Sequence, residues 1–339
     1  MNKNKIKFGI IGLGHIGKRH ANTILQNPAC ELLATCDLLD LRTLNMPDTW
    51  QHPHFNNLKD MLTAHPEIDI INVCTPNGLH AAHTLSAIEA GKHVVCEKPM
   101  ALKKSDCEQI ISKALEKTRH VFVVMQNRYS PPSAWLKKIV EEKIIGDVYL
   151  VQMNCFWNRD HRYYHKGGWH GTNDLDGGTL FTQFSHFIDI LYWIFGDISN
   201  LNARFFNFNH QDMIAFEDSG IITFDLIKGG SGSISYSTSA WDRNLESSVT
   251  VLGSKGSVKI GGQYMDQILH CHIQDYEMPE LQPTNPSNSY DGYKGSANNH
   301  AQVIQNVVET LSQSNSPKTN ALEGMKIVEF IERIYQLKN

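Results

Sequence analysis

The 339-residue chain carries little surplus charge: 31 Lys and Arg stand against 35 Asp and Glu, for a formal net charge of −4. So small an acidic excess gives no basic field for nucleic acid and no polybasic surface for a membrane. No uninterrupted apolar stretch reaches the roughly 18 residues that a membrane-spanning helix needs. The opening MNKNKIKFGI lacks the apolar core of a secretory signal. Cys30, Cys36, Cys74, Cys96, Cys107, Cys155 and Cys271 form no CxxC pair. Several lie inside apolar strand-like runs, so they read as small buried hydrophobes in a reducing compartment. Internal repeats are absent. The expectation is a cytoplasmic protein with no nucleic-acid or membrane partner. Its length suits two domains with a substantial core.

What is present begins at residue 6. A buried-strand run, Ile6, Phe8, Ile10 and Ile11, leads into Gly12-x-Gly14-x-x-Gly17, and a helical pattern follows from Lys18 to about Gln26. In a dinucleotide fold Gly12 makes the tight turn, Gly14 lets the backbone approach a pyrophosphate, and Gly17 lets helix and strand pack closely. The helix N-terminus then faces the phosphates. Asp37 ends the second apolar run, ELLATCD, where a carboxylate accepts hydrogen bonds from ribose hydroxyls and repels a 2′-phosphate. No Arg or Lys adjoins it, and Arg42 is not ideally placed. The pattern favours NAD over NADP. The plainer alternatives are an ordinary glycine-rich strand–helix turn and a loop acid.

Through residue 126, strand patterns alternate with helical ones: IDIINVCTP, HVVCEKP and HVFVVMQ are separated by helices near His80–Ala90 and Lys104–Lys117. Such alternation implies a parallel sheet covered on both faces, with ligands bound outside the strands' carboxyl ends. That edge holds Thr75-Pro76-Asn77, Glu97-Lys98-Pro99 and Gln126-Asn127-Arg128. After Pro131 the pattern changes to a helix, the strand DVYLVQMNCFW, a long helix over about Gly178–Phe195, and then six strand-like runs with short turns. Residues 275–299 read as one long polar loop, and two helical patterns close the chain. The fold class is α/β: a Rossmann dinucleotide-binding domain over 1–126, then an α+β domain over 127–339 with a large, open, mostly antiparallel sheet. The last helix is a candidate to pack back on the first domain.

Two stretches carry chemistry. Lys98 sits at the carboxyl end of a central parallel strand, where an ammonium can position a substrate oxygen or give up its proton and act as base. A solvated strand-end lysine is the alternative. On a continuous helix, Thr182, His186 and Asp189 are spaced i, i+4 and i+7 and share one face. A histidine there can take a hydroxyl proton as hydride leaves the same carbon. The alternative is a core histidine bonded to Asp189. His270-Cys271-His272 lacks a third ligand at zinc-site spacing, so no metal is expected.

Together, GIIGLGHIG, TPNGLH, CEKP and GG-x(7)-H-x-x-D before LYWIFG resemble the Gfo/Idh/MocA family of sugar and polyol dehydrogenases, across nearly the whole chain. VLGSKGSVKI (251–260) is similar to the family's strand–turn–strand. The resemblance implies an NAD(P)-dependent oxidoreductase, assembled as a homodimer or homotetramer through the open sheet. It implies that Lys98 and His186 are catalytic and that Asp189 contacts substrate hydroxyls. His15, Ile16, Thr75, Pro76, Asn77, His80, Glu97 and Gln126 would line the cofactor beside the glycines and Asp37. One departure matters: many members have Asp four residues before the histidine, where this chain has Thr182, which cannot relay a proton at neutral pH. The base is therefore His186 or Lys98. Thr182 with Gln183 next looks like a subgroup acting on nucleotide-linked sugars.

The loop Arg162-Tyr163-Tyr164-His-Lys-Gly-Gly-Trp169 resembles one in enzymes that oxidise C3 of UDP-N-acetylglucosaminuronic acid. Aromatics pack on sugar faces and Arg pairs with carboxylate or phosphate. An interface loop is its alternative reading. Arg128 and Tyr129 are also placed to face substrate. The family resemblance leaves two further classes open: a glycosidase that uses NAD transiently at C3, and a non-catalytic NAD- or sugar-binding sensor.

Overall fold

The computed structural model describes residues 5–290, 293–313 and 316–338. In chain order its strands are β1 (Ile6–Ile11), β2 (Cys30–Cys36), β3 (His54–Phe55), β4 (Ile70–Val73), β5 (His93–Cys96), β6 (Val121–Val123), β7 (Val148–Phe156), β8 (Ile198–Phe206), β9 (Ser219–Leu226), β10 (Ser231–Ser237), β11 (Glu246–Gly253), β12 (Gly256–Gly261), β13 (Gln267–Ile273), β14 (Ser287–Tyr290) and β15 (Tyr293–Ala297). The helices are α1 (His15–Gln26), α2 (Leu58–Ala64), α3 (His80–Glu89), α4 (Lys104–Lys117), α5 (Pro131–Glu141), α6 (Thr179–Thr182), α7 (Ser185–Phe195), α8 (His300–Gln313) and α9 (Ala321–Tyr335). Among the described residues no helix is long and apolar enough to cross a membrane.

The chain divides into two compact units. The first contains the residues up to Met125 and His300–Glu329; the second contains Gln126–Asn299 and the residues from Phe330 onward. Residues 300–329, read from the sequence as part of the second domain, therefore belong with the first.

In the first unit six strands pair in parallel in the order β3-β2-β1-β4-β5-β6. The order reverses between β1 and β4, which creates a switch point at their carboxyl ends. Strand β4 is buried along its whole length, as suits a central parallel strand, although it carries Asn72 among its Ile and Val residues. Gly12 and Gly17 fix the first turn. Gly12 has φ +90°, and a Cβ there would lie 2.6 Å from the Cys74 backbone. A Cβ on Gly17 would lie 1.9 Å from the Gly12 carbonyl oxygen, whereas one on Gly14 meets nothing within 4 Å. Two glycines are thus demanded by packing, and the third keeps a space open.

In the second unit seven strands run in the order β13-β12-β11-β7-β10-β9-β8. All neighbours are antiparallel except β7 and β10, which are parallel. Alternation of apolar and polar residues puts Val151, Met153, Ile222, Phe224, Ile234 and Tyr236 in the core. Phe184 and Phe187 meet Trp157 edge-on at 5.5 and 5.6 Å. Leu150, Ile221 and Leu252 lie on exposed positions of β7, β9 and β11 in the same sheet.

Two readings change here. The stretch 275–299 contains the hairpin β14–β15. The expected helix over 178–195 is broken: α6 ends at Thr182, and Phe184 leaves helical geometry at φ −115°, ψ 4°. Side-chain bonds from Gln183 to residues distant in sequence hold the break, so Thr182 does not continue the helical face of His186 and Asp189.

Gly17→Ala is expected to cost about 1–3 kcal/mol, because backbone on both sides must move. Gly14→Ala should leave stability nearly unchanged. Denaturant unfolding of both variants checks the contrast, and equal losses would contradict the packing account.

Candidate active site

In the first unit the expected cofactor residues gather at the carboxyl edge of the sheet. Gly14 and His15 are exposed, Ile16, Asp37, Thr75 and Pro76 are half-buried, and Asn77 is buried. Gly14 is the N-cap of α1, and no side chain caps that end. The positive end of the helix dipole lies at this glycine turn. The Asp37 carboxylate accepts hydrogen bonds from the Leu13 amide at 2.7 Å and the Leu39 amide at 3.0 Å. It is thereby turned toward the glycine loop. Open space at Gly14, an uncapped helix start and an oriented acid fit a dinucleotide.

Lys98 is half-buried just beyond β5. Its backbone amide donates to Glu97 Oε2 at 3.2 Å, and the Lys98–Pro99 peptide is cis. Glu97 is 5% exposed. Its Oε1 accepts from His20 Nε2 of α1 at 2.9 Å and from His300 Nε2 of α8 at 3.3 Å. Burial opposes ionisation of Glu97, yet the two histidine hydrogen bonds prevail and hold its carboxyl well below the usual range. Asn72 Nδ2 of β4 donates to His20 Nδ1 at 2.7 Å. The donor atoms of His20, Glu97 and His300 lie within 4.8 Å of one another, as metal ligands would. Both nitrogens of His20 are already engaged, so the cluster is a hydrogen-bonded triad.

His80 is likewise enclosed. It is 1% exposed, and its ring nitrogens face backbone: Nδ1 lies 2.7 Å from the Pro99 carbonyl oxygen and Nε2 2.7 Å from that of Thr75. Burial pulls this imidazole toward neutrality, and the two carbonyls and Glu97 oppose it. Glu97 and His80 are thus both enclosed and hydrogen-bonded within the protein at the carboxyl ends of β4 and β5.

In the second unit Asp189 is 0% exposed and bonded to Arg128, with Nη2 at 2.6 Å and Nε at 3.0 and 3.1 Å from its two oxygens. Both oxygens of this carboxylate are held by the guanidinium, which fixes its orientation. Arg128 is itself buried, while Tyr129 is half-buried. Gln126, expected beside the cofactor, is buried and accepts from the Asn299 amide at 3.0 Å. His186, on α7, is 4% exposed. Thr182 donates to the carboxylate of Asp176, a buried acid that also accepts from the Gly171 amide at 2.7 Å.

The aromatic loop is organised by Arg159, which sequence reading passed over. Arg159 is 2% exposed and lies 4.7 Å from the Trp157 ring, 5.3 Å from Tyr163 and 4.8 Å from Tyr293. It donates to Gln183 Oε1 at 2.7 Å, and Gln183 Nε2 donates to the Tyr163 hydroxyl at 2.7 Å. Tyr163, Tyr164 and Gln183 thus form a packed support. Arg162 stays exposed, paired with Asp160 at 2.8 Å, and Trp169 is half-buried against His170.

Residues 6–125 match an oxidoreductase family with an NAD-binding Rossmann fold, GFO/IDH/MocA, and residues 134–259 match the GFO/IDH/MocA C-terminal domain. The chain belongs to the GFO/IDH/MocA oxidoreductase family. Within it, the WlbA dehydrogenase from Bordetella pertussis, solved in complex with NADH and UDP-GlcNAcA, is 30% identical with a TM-score of 0.87, covering 98% of this chain and 96% of that one. WlbA from Chromobacterium violaceum, solved with the same two ligands, is also 30% identical, with a TM-score of 0.86 and coverage of 99% and 94%. A scyllo-inositol 2-dehydrogenase (NADP(+)) of Bacillus subtilis is 29% identical over 56% of this chain and 52% of its own length.

The family motifs announced Lys98 and His186, but not the histidines behind Glu97. His300 is pushed down to about 4, chiefly by burial and against the pull of Glu97. Since the unfolded chain binds this proton more readily, stability is complete above ~6.5 and declines as pH falls toward about 4. Depressed Glu97 adds to the loss at acid pH. Unfolding midpoints should therefore drop across this window. His300→Gln, which keeps a donor without a titrating ring, should give a shallower slope. An unchanged slope would refute His300 as a source of acid lability.

Proposed function

We propose that this chain is an NAD-dependent dehydrogenase that oxidises C3 of a nucleotide-linked, N-acetylated uronic acid. The observation that carries this reading is the likeness, over nearly the full length of both chains, to two enzymes solved with NADH and UDP-GlcNAcA. NAD, when bound, supplies a nicotinamide carbon that accepts hydride. Gly14 leaves room for its pyrophosphate at the start of α1, in the turn that Gly12 and Gly17 pack, and Asp37 accepts hydrogen bonds from ribose hydroxyls. Asp37 disfavours a 2′-phosphate, which supports NAD over NADP.

The hydroxyl proton passes to Lys98 or His186 as hydride leaves the same carbon, so the alcohol becomes a ketone with charge and electrons balanced. Lys98 donates to the substrate oxygen when protonated and accepts when neutral. Thr182 cannot hold charge, but its hydroxyl donates to Asp176, so an acid stands one hydrogen bond behind it. Arg162, Trp169 and Tyr129 keep surface available for sugar and phosphate, with Arg128 held at a fixed angle by Asp189. Tyr163, Tyr164 and Gln183 shape the loop from beneath.

The test is NADH absorbance with purified protein, NAD and a panel of UDP-sugars, free sugars and polyols, with mass spectrometry of products. Signal with UDP-N-acetylglucosaminuronate and a product lighter by two hydrogens is expected. Lys98→Ala and His186→Ala should each lower kcat by about 10²–10⁴-fold while NAD still binds. Activity with free inositol or glucose but not the nucleotide sugar would overturn the substrate assignment.

We also propose a homo-oligomer assembled through the exposed sheet face that carries Leu150, Ile221 and Leu252, in the reducing cytoplasm that seven free cysteines suit. Light scattering after gel filtration should give a multiple of the single-chain mass, reduced by Leu150→Glu with Leu252→Glu. A monomer in the unaltered protein would remove this assembly.

A further inference from the structure

Two adjacent strands of the first unit, β4 and β5, end in the two segments that the proposed function uses most: Thr75-Pro76-Asn77 and Glu97-Lys98-Pro99. Between them lies His80, the first residue of α3, at 1% exposure. Its two ring nitrogens face two backbone carbonyl oxygens, Thr75 and Pro99, each at 2.7 Å. A neutral imidazole has one N–H and one lone pair. With one N–H it could satisfy only one of these carbonyls, and would press its lone pair against the other oxygen at a distance suited to a hydrogen bond. Both contacts are satisfied only when both nitrogens carry hydrogen.

We infer that His80 is a doubly protonated clamp that ties the end of β4 to the residue after Lys98, and so acts as a positioning residue for Lys98. The charged and titratable groups facing it are Glu97 and Lys98 on the neighbouring segment and His83 one turn along α3. The anionic Glu97 favours the cation, and Lys98 and burial disfavour it. The net shift is downward, burial being its largest cause and the two carbonyls opposing it; what calls for both hydrogens is the pair of 2.7 Å contacts. His83 is bonded through Nδ1 to the Thr75 hydroxyl at 3.0 Å, and burial holds it toward the neutral form.

Lys98 is thereby bracketed. On one side, Glu97 is gripped by His20 and His300; on the other, the Pro99 carbonyl is gripped by His80. Three helices, α1, α3 and α8, each contribute one histidine. A lysine side chain has many rotamers, and fixing the backbone on both sides of it narrows where its ammonium can reach. The role assigned to His80 rests on Lys98 acting at the reacting hydroxyl, but the protonation of His80 does not.

The experiment has two arms on the full chain. In the first, ¹⁵N-histidine-labelled protein is examined by NMR, with His80 assigned by its loss in His80→Gln. One-bond N–H signals on both ring nitrogens are expected at neutral pH. A single N–H at neutral pH overturns the clamp, whatever the enzyme acts on. In the second, His80→Leu removes both donors, whereas the amide of Gln can still offer two hydrogens. Turnover of the sugar the wild type oxidises should fall about 10- to 100-fold in the Leu variant, with NAD affinity and substrate KM within a few-fold, and recover in large part in the Gln variant. Equal turnover in Leu and wild type would overturn the positioning role. Should the Leu variant not fold, the spectrum and the Gln variant's turnover, expected within a few-fold of wild type, still decide. A wild type that oxidises no sugar of the panel refutes the function, and the positioning role that depends on it, while leaving the protonation result intact.

Discussion

A carboxylate taken out of water stays ionised only where enough donors face it. Glu97 meets that condition with one histidine from each of two helices and a backbone amide of its own segment. The consequences spread from there. His20 must keep its Nε2 hydrogen for Glu97, so its other nitrogen must accept, and Asn72 of β4 supplies the hydrogen. Asn72 is fully buried in a strand otherwise made of Ile and Val, a position that burial alone would give to a hydrophobe. His300, in turn, requires the chain to return after residue 299 and lay α8 in the first unit. One buried charge thus dictates a residue choice in the central strand and the unit to which a distant helix belongs.

Much of this unit was legible in the sequence because its causes are local. The glycine turn, the acid ending β2 and the alternation of strands and helices are each set by neighbours within a few residues. The triad was not legible, because His20 and His300 are 280 positions apart and neither spacing nor periodicity links them. His80 was placed in the correct region for a different reason: the family motif marks the residue, but only coordinates show that its ring points at carbonyls. Catalytic residues and the residues behind them leave the same mark in a motif.

In the second unit the period was read correctly and the continuity was not. Apolar spacing over 178–195 fits one helix, and helical propensity gives no reason to stop at Thr182. The break comes from Gln183, whose side chain is bonded to Arg159 and Tyr163, some twenty residues earlier. Likewise Asp189 was placed on a helix face as expected, while its partner Arg128 could not be inferred from spacing. Tertiary hydrogen bonds override local preference most readily where polar side chains are buried, and both cases are of that kind.

Arg159 joins several parts of the second unit. Its guanidinium bonds to Gln183 in the α6–α7 break and to the Lys294 carbonyl at 3.2 Å in β15, and it stacks on Tyr163 of the aromatic loop. Three segments far apart in sequence thus share one side chain. Their local openings are consequently linked: releasing the hairpin strips an acceptor from the guanidinium and weakens its hold on the other two. The aromatic loop therefore belongs to a cooperative unit of stability rather than fraying alone. An insertion near residue 294 would be felt at residue 163.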